Sequence, residues 1–201
     1  MIKLGVLASG RGSNFQSIIN SIDRGALDAE IACLITDNPT AYAIERAKLH
    51  KIPHVYANPN GYASKDVYYR SIADELQFCG VELIVLAGFM RVVRKPLIDA
   101  FPMRIVNIHP SLLPSFKGMH AHMQALEYGV RISGCTVHFV DEGVDSGPII
   151  LQEAVPVFSD DTVESLSARI LECEHRILPL AIKLYIEGKL RVTGNIVKIG
   201  D

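Results

Sequence analysis

Apolar runs alternate with segments of helical periodicity through the first half of the chain, and this alternation constrains the fold most. Buried strands are predicted at KLGVLAS, EIACLIT, PHVYA, VELIVLAGF and RIVNI. Helices are predicted between the first four runs, over residues 13–25, 40–51 and 64–80, with Ser64 as an N-cap. Strands that alternate with helices form βαβ units and pair in parallel. The sequence therefore predicts an α/β, Rossmann-like three-layer fold.

The second half of the chain is less regular. Two strand-like runs, at 134–140 and 148–157, follow each other with no helical segment between them. Antiparallel pairing is therefore expected within a mostly parallel, mixed central sheet. Residues 161–188 have helical periodicity and begin at Asp161 or Thr162, and Pro179 is expected to kink this helix or to separate two helices. No linker, repeat or low-complexity stretch interrupts the 201 residues, so one domain is predicted.

Composition and charge exclude several classes of function. The formal net charge is −2 and no basic stripe is present, which disfavours a nucleic-acid partner. No apolar run approaches the roughly 18 residues that a membrane span needs. The segment MIKLGVLASG predicts a strand and its turn rather than a secretion signal. The four cysteines lie far apart and form no C-x-x-C pair, which favours a reducing cytoplasm over a disulfide framework.

The loop after the first strand, ASGRGSNF, has the composition of an anion-binding turn. Its glycines allow the backbone to approach a ligand, and the helix that follows offers N–H groups to a phosphate. The Gly-Lys-Ser/Thr of a Walker motif is absent, and Phe15 occupies the third small position of the dinucleotide fingerprint. A single phosphate monoester is therefore favoured over a dinucleotide. A plain strand-to-helix turn capped by Ser13 explains the same residues.

The strand RIVNI delivers Asn107 and His109, whose spacing of two places both side chains on one side. An amide can donate to a developing oxyanion, and an imidazole can move a proton near neutral pH. Asp145 follows the strand at 134–140, and a carboxylate beside the imidazole would raise the histidine pKa by about one unit or more. Each residue alone is explained by a structural role, as a strand-end histidine, a turn aspartate or a capping asparagine. Their shared position at carboxyl ends of strands favours a catalytic set.

Other histidines and acids carry less information. His120 and His122 form an H-x-H pair without a matching acid or cysteine cluster, so a loop role is favoured and no metal is predicted. No G-x-S-x-G elbow supports a hydrolase triad. His138 is expected to face out of its strand or to be satisfied within it, and Glu174 is expected to be exposed on its helix.

Five segments, taken together, resemble a known family. They are ASGRGSNF, LAGFMRVV (86–93), NIHPSLLPSFKGMHAHMQALEYG (107–129), TVHFVDEGVDSGPIILQ (136–152) and ECEHRILP (172–179). In this order they resemble the folate-dependent formyltransferases, and the S-G-x-G-S-N loop is typical of the phosphoribosylglycinamide formyltransferases among them. The resemblance implies transfer of the formyl group of 10-formyltetrahydrofolate to the amine of N1-(5-phosphoribosyl)glycinamide in de novo purine biosynthesis. It also implies a single formyltransferase domain over 1–201, with a phosphate-binding half (1–100) and a folate-binding and catalytic half (101–201).

The resemblance also implies roles for individual residues. Asn107 would hold the oxyanion, His109 would be a protonated partner that helps to move protons, and Asp145 would raise the pKa of His109. The implied substrate-binding residues are Gly12, Ser13, Asn14, Pro110 and Glu174. The implied folate-binding residues are Lys65, Met90, Arg91, Val92, Val93, Asn107, Val140, Asp141, Glu142, Gly143 and Val144.

Two positions depart from the family pattern, and several alternatives remain. Lys65 stands where arginine is frequent and lacks its bidentate fork, and Lys117 stands where proline is common. The nearest alternative is a 10-formyltetrahydrofolate hydrolase, which would share the three catalytic residues. Its relatives carry an additional N-terminal domain for which this chain has no room, and a phosphate loop has no purpose when water is the acceptor. Formylation of initiator tRNA is disfavoured by the net charge, and a non-catalytic phosphate-metabolite binder would not need the catalytic set. A monomer and a homodimer both remain open.

Overall fold

The computed structural model describes residues 1–200, which form two compact units, residues 1–107 and the residues from 108 onward. The elements of the first unit are β1 (Ile2–Leu7), α1 (Ser13–Asp23), β2 (Ala29–Thr36), α2 (Tyr42–Leu49), β3 (His54–Tyr56), α3 (Lys65–Phe78), β4 (Leu83–Leu86), α4 (Lys95–Ala100) and β5 (Ile105–His109), whose last two residues belong to the second unit. The second unit continues with α5 (Ala121–Tyr128), β6 (Ile132–Phe139), β7 (Ile149–Pro156), α6 (Val163–Ile186), β8 (Leu190–Thr193) and β9 (Ile196–Ile199).

The first unit is built on parallel strands in the order β3-β2-β1-β4-β5. Its central strands β1 and β4 are almost wholly buried, as continuous apolar runs predict for a sheet that is covered on both faces. The register pairs Leu7 with Ile35 and Leu86, and Leu86 with Asn107. The carboxyl ends of these strands therefore meet at one edge, where the loops after β1, β2 and β4 begin.

The second unit contains the antiparallel pairs. β6 and β7 pair antiparallel with an irregularity between Val137 and His138, and β8 and β9 form an antiparallel hairpin. β9 also pairs in parallel with β7, and α6 packs against β6 and β7. The predicted α/β class, with a mostly parallel and mixed sheet, is confirmed.

The structure corrects the predicted elements in several places. The short helices α4 and α5 and the hairpin β8–β9 were not predicted, because they are too short to show a clear period. Pro179 lies inside the continuous helix α6, so of the two predicted alternatives the separation into two helices is wrong. Thr162 is the N-cap of α6 and forms a capping box with Ser165, and Ser64 caps α3 as predicted. None of the helices within residues 1–200 is long and apolar enough to cross a membrane.

Candidate active site

The loop after β1 leads into helix α1 without a side-chain cap. Gly12 is the N-cap residue, in the left-handed conformation with φ 67°, and it makes no side-chain capping bond. Ser13 is the first helical residue, so the interpretation of Ser13 as the cap is wrong. The first N–H groups of a helix have no acceptor within it and lie at the positive end of its dipole. The loop therefore presents backbone donors that suit an anion.

Helix α2 packs against this loop, and the close contact leaves room only for glycine at position 12. A Cβ atom on Gly12 would lie 2.9 Å from the Cβ of Ala43, and positive φ adds strain for any other residue. The Ala43 N–H donates to the Gly10 carbonyl oxygen at 3.1 Å, and Arg46 Nε donates to the Arg11 carbonyl oxygen at 2.9 Å. These contacts use carbonyl groups of the loop, so helix α2 holds the loop through its acceptors.

Asn107 and His109 lie two residues apart on β5, and the strand runs one residue further than predicted, to His109. Alternation along a strand places both side chains on one face. His109 is buried and Asn107 is half-buried. An amide and an imidazole therefore stand side by side at the carboxyl end of β5.

The ring of His109 faces an acceptor at each nitrogen. Nδ1 lies 3.3 Å from Oδ2 of Asp145, and Nε2 lies 2.9 Å from the Phe116 carbonyl oxygen. The Gly118 N–H donates to the same Asp145 oxygen at 2.8 Å and fixes the carboxylate. Since a carbonyl and a carboxylate can only accept, the protonated ring alone satisfies both contacts.

His138 completes this cluster, although sequence analysis predicted only that it faces out of its strand or is satisfied within it. Its Nε2 lies 3.6 Å from Oδ1 of Asp145, and its Nδ1 lies 2.7 Å from the Phe139 carbonyl oxygen. It is only 2% exposed, and it stands at the carboxyl end of β6 just before the loop that holds Asp145. That position is the signal that could have identified it.

Burial and charge oppose each other in this cluster. Burial lowers the pKa of His109 below its ordinary value and outweighs the Phe116 carbonyl and the Asp145 charge, which raise it. The Asp145 charge therefore raises the pKa of this histidine, as predicted, while burial makes the net shift downward. For Asp145, burial is the largest single influence and raises the pKa. The hydrogen bonds from His138 and Gly118 and the two histidine charges each lower the pKa and together outweigh burial, so the net shift is downward. Asp145 is held ionised at neutral pH.

His122, on α5, lies within electrostatic reach of His109. Burial lowers the pKa of His122 and the His109 charge lowers it further. His120 is the N-cap residue of α5, with φ 61°. No group of three or more histidine, cysteine or acidic side chains in the described part of the chain is arranged to hold a metal ion.

The remaining predicted residues lie in several separate elements and loops. Lys65 begins α3, and the segment at 90–93 follows β4, with Met90 and Val92 more than half exposed and Val93 buried. The loop at 140–144 is bonded internally, because Asp141 Oδ1 accepts from the Gly143 N–H and the Ser146 hydroxyl. Glu174 on α6 is only 6% exposed, so the expectation of an exposed acid is wrong. The loop at 12–14 belongs to the first compact unit, whereas Pro110, Glu174 and the His109–Asp145 pair belong to the second.

Comparisons with known proteins agree on one family. The model of the family described as "Formyl transferase" matches residues 2–182. The crystal structure of glycinamide ribonucleotide transformylase 1 from Symbiobacterium toebii superimposes with a TM-score of 0.99 at 51% identity, over 100% of this chain and 95% of that one. Phosphoribosylglycinamide formyltransferase from Bacillus subtilis is 44% identical over 91% of this chain and 94% of its own length.

Two further relatives are matched over only part of their own length. The trifunctional purine biosynthetic protein adenosine-3 of Gallus gallus is 44% identical over 95% of this chain, which spans only 19% of that protein. A formyltetrahydrofolate deformylase from Pseudomonas syringae is 26% identical with a TM-score of 0.90, and the match covers 66% of its chain. On the family match over residues 2–182, this chain belongs to the formyl transferase family.

Proposed function

We propose that this chain transfers the formyl group of 10-formyltetrahydrofolate to the amino group of N1-(5-phosphoribosyl)glycinamide, a step of de novo purine biosynthesis. The observation that carries the proposal is the buried pair of His109 and Asp145, 3.3 Å apart, at the end of the strand that also bears Asn107. The pair occurs in a chain that matches the B. subtilis phosphoribosylglycinamide formyltransferase over 94% of that enzyme's length. We propose one cytoplasmic formyltransferase domain that acts on small molecules, as a monomer or a homodimer.

The phosphate of the ribonucleotide would bind to the N–H groups of Gly12, Ser13 and Asn14. The uncapped start of α1 and the left-handed Gly12 support this role. Glu174 would accept hydrogen bonds from ribose hydroxyls beside Pro110. Glu174 is only 6% exposed and belongs to the same compact unit as Pro110.

The reaction exchanges one carbon–nitrogen bond for another. The lone pair of the glycinamide nitrogen forms a bond to the formyl carbon, and the carbonyl oxygen becomes an oxyanion. The bond from that carbon to N10 of the folate then breaks, the glycinamide nitrogen loses one proton, and N10 gains one. The Asn107 amide would donate to the oxyanion, a contact that is stronger in the transition state than in the substrate.

His109 would carry the proton between the two nitrogens. Because burial favours the neutral ring, His109 is ready to accept the proton that the attacking amine releases. The imidazolium that forms then donates to Asp145 and to the Phe116 carbonyl, so both of its contacts are satisfied. His109 would pass this proton to N10 as the folate leaves.

Each unit carries proposed folate-binding residues. In the first unit, exposed Met90 and Val92 would contact a flat heterocycle and backbone groups at 90–93 would hydrogen-bond its polar edge. In the second unit, the loop at 140–144 with exposed Val144 would contact the folate. Arg91, Asp141, Glu142 and Gly143 shape these two segments. Lys65 would attract the anionic tail as a point charge.

Hydrolysis of 10-formyltetrahydrofolate is the second candidate, because a deformylase shares the fold at 26% identity. The decisive assay follows loss of the formyl group with and without the ribonucleotide acceptor. Formyl transfer predicts turnover only when the amine is present, and it predicts weak turnover with the dephosphorylated glycinamide riboside. Equal turnover without the amine would establish the hydrolase instead. The variant His109→Ala should lose transfer but keep substrate binding, whereas a pure binding protein would have no turnover to lose.

A further inference from the structure

The irregular segment at 89–94, between β4 and α4, is held by side chains from three other parts of the first unit. The Met90 N–H donates to the Ser9 hydroxyl at 2.9 Å. Arg91 Nε donates to Oδ2 of Asp37 at 2.6 Å, and the Tyr69 hydroxyl donates to the Val92 carbonyl oxygen at 2.8 Å. Three successive residues are therefore anchored from outside the segment, which lies in neither a helix nor a strand.

Asp37 provides the only ionic contact among these three. Its side chain is 8% exposed, whereas that of Arg91 is 40% exposed, so the carboxylate is the buried partner. Its second oxygen, Oδ1, is also buried and has no hydrogen-bond partner within residues 1–200. A buried carboxylate with one satisfied oxygen depends strongly on its cation, because removal of either partner leaves an uncompensated group. This dependence fixes the orientation of Arg91.

The tyrosines on α3 support the same arrangement. Burial raises the pKa of Tyr68, and the Asp37 charge raises it further. Burial likewise raises the pKa of Tyr69 to about 12, with Arg91 opposing and Asp37 adding to the shift. Tyr69 therefore keeps its proton and remains a donor to Val92. Asp37, Arg91 and Tyr69 form one electrostatic cluster behind the segment.

We propose that Asp37 is a positioning residue for folate binding, which acts through Arg91 to fix the backbone at residues 90–93. The inference rests on the proposed function, in which this segment contacts the folate ring. Met90 and Val92 are 61% and 58% exposed, so their own packing does not hold the segment in place. Buried Val93 anchors the end of the segment, and the three outside contacts hold residues 90–92. The Asp37 contact is the strongest of the three because it is charge-assisted and short.

The test compares Michaelis constants for the two substrates in Asp37→Asn. Asparagine keeps the shape and one acceptor but removes the charge, so the segment is loosened rather than unfolded. We expect KM for 10-formyltetrahydrofolate to rise about 5- to 20-fold, which is less than the full loss of a charge-assisted hydrogen bond because asparagine keeps one acceptor. KM for the ribonucleotide and kcat should change by less than about twofold. The matched control is Asp99→Asn, which removes an equal charge from an exposed pair with Lys95 and should leave both constants unchanged.

A double-mutant cycle tests whether Asp37 acts through Arg91. If it does, Asp37→Asn has little further effect in an Arg91→Gln background. The double variant leaves no uncompensated charge, so it also serves if a single variant does not fold, and it must show the same folate-specific rise in KM. Equal rises in both KM values, a loss confined to kcat, additive effects, or a wild-type folate KM in the double variant would overturn the inference. If the wild-type protein itself does not transfer the formyl group, that result overturns the proposed function rather than the role of Asp37.

Discussion

Replacement of Asp145 by asparagine removes the charge that faces His109 and preserves most of the local structure. The carboxylate lies 3.3 Å from Nδ1 of His109 and 3.6 Å from Nε2 of His138. It also accepts the Gly118 N–H at 2.8 Å, and the oxygen of an asparagine can still accept that bond. The substitution therefore tests the charge rather than the shape of the site.

The distance sets the size of the effect. At an effective dielectric of about 20, two unit charges 3.3 Å apart interact by about 5 kcal/mol, which is an upper bound. An opposite charge at such a distance usually shifts a pKa by about 1 to 3 units, or about 1.4 to 4 kcal/mol. Because the side chains of His109 and Asp145 are only 6% and 13% exposed, solvent screens this interaction weakly. If the imidazolium of His109 forms in the rate-limiting step, kcat falls about 10- to 1000-fold.

Two measurements check this prediction together. Histidine NMR titration should show the pKa of His109 falling by about 1 to 3 units in Asp145→Asn. Steady-state kinetics should show the loss in kcat, with KM for the ribonucleotide nearly unchanged. The exposed Asp160→Asn is the matched control and should alter neither quantity. A pKa of His109 that moves by less than about 0.3 unit, or a wild-type kcat, would refute the reasoning.

Three further predictions concern the other parts of the site. Asn107→Ala should lower kcat about 100- to 1000-fold with little change in either KM, as expected for loss of one oxyanion donor and checked by steady-state kinetics. Gly12→Ala should raise KM for the ribonucleotide and lower the free energy of unfolding by more than Gly25→Ala does. Both residues have positive φ, but of the two only Gly12 has a neighbour within 3 Å of an added Cβ. The control Gly25→Ala should cost about 1 kcal/mol in thermal unfolding and leave KM unchanged. Burial lowers the pKa of His109, so between the folded pKa and about pH 6.5 the unfolded chain binds a proton at this histidine that the folded chain does not. The free energy of unfolding therefore keeps its full value above about pH 6.5 and decreases as the pH falls toward the folded pKa. Urea unfolding from pH 7.5 to 5.5 should show a smaller decline in His109→Asn, and an equal decline in both proteins would contradict the assignment.

The parallel strands were predictable because each is a continuous apolar run between clear turn signals. Their alternation with helices fixed the edge at which the loops after β1 and β4 emerge, and therefore the position of Asn107 at a strand end. The hairpin β8–β9 carries no comparable signal, since its strands are four residues long and mostly exposed.

The close neighbours of Asp145 could be predicted only in part. Two strand ends pointed to His109 and Asp145, but Phe116 contributes a backbone carbonyl, which no side-chain pattern reveals. His138 lies on an alternating strand, where a histidine is satisfied equally well by a main-chain contact. Its approach to Asp145 occurs beside an irregularity between Val137 and His138 in the β6–β7 pairing, which no sequence pattern indicates.

The net direction of the pKa shift of His109 could also not be predicted from the sequence. Spacing suggested a carboxylate beside His109, and that carboxylate does raise the pKa of the ring. How deeply the ring is buried depends on packing across the whole second unit, and burial proved the larger influence. Likewise, the helical pattern around Glu174 did not show that this acid faces the interior.

The central claim is that the formyl carbon moves to an amine and not to water, and the fate of that carbon tests it most directly. Substrate labelled with ¹³C at the formyl group can be mixed with the protein and an equimolar amount of the ribonucleotide, and the carbon followed by NMR. The proposal predicts that the label appears in a new formamide attached to the ribonucleotide, in equal amount to the tetrahydrofolate released. A label that accumulates as formate while the ribonucleotide is unchanged would contradict it.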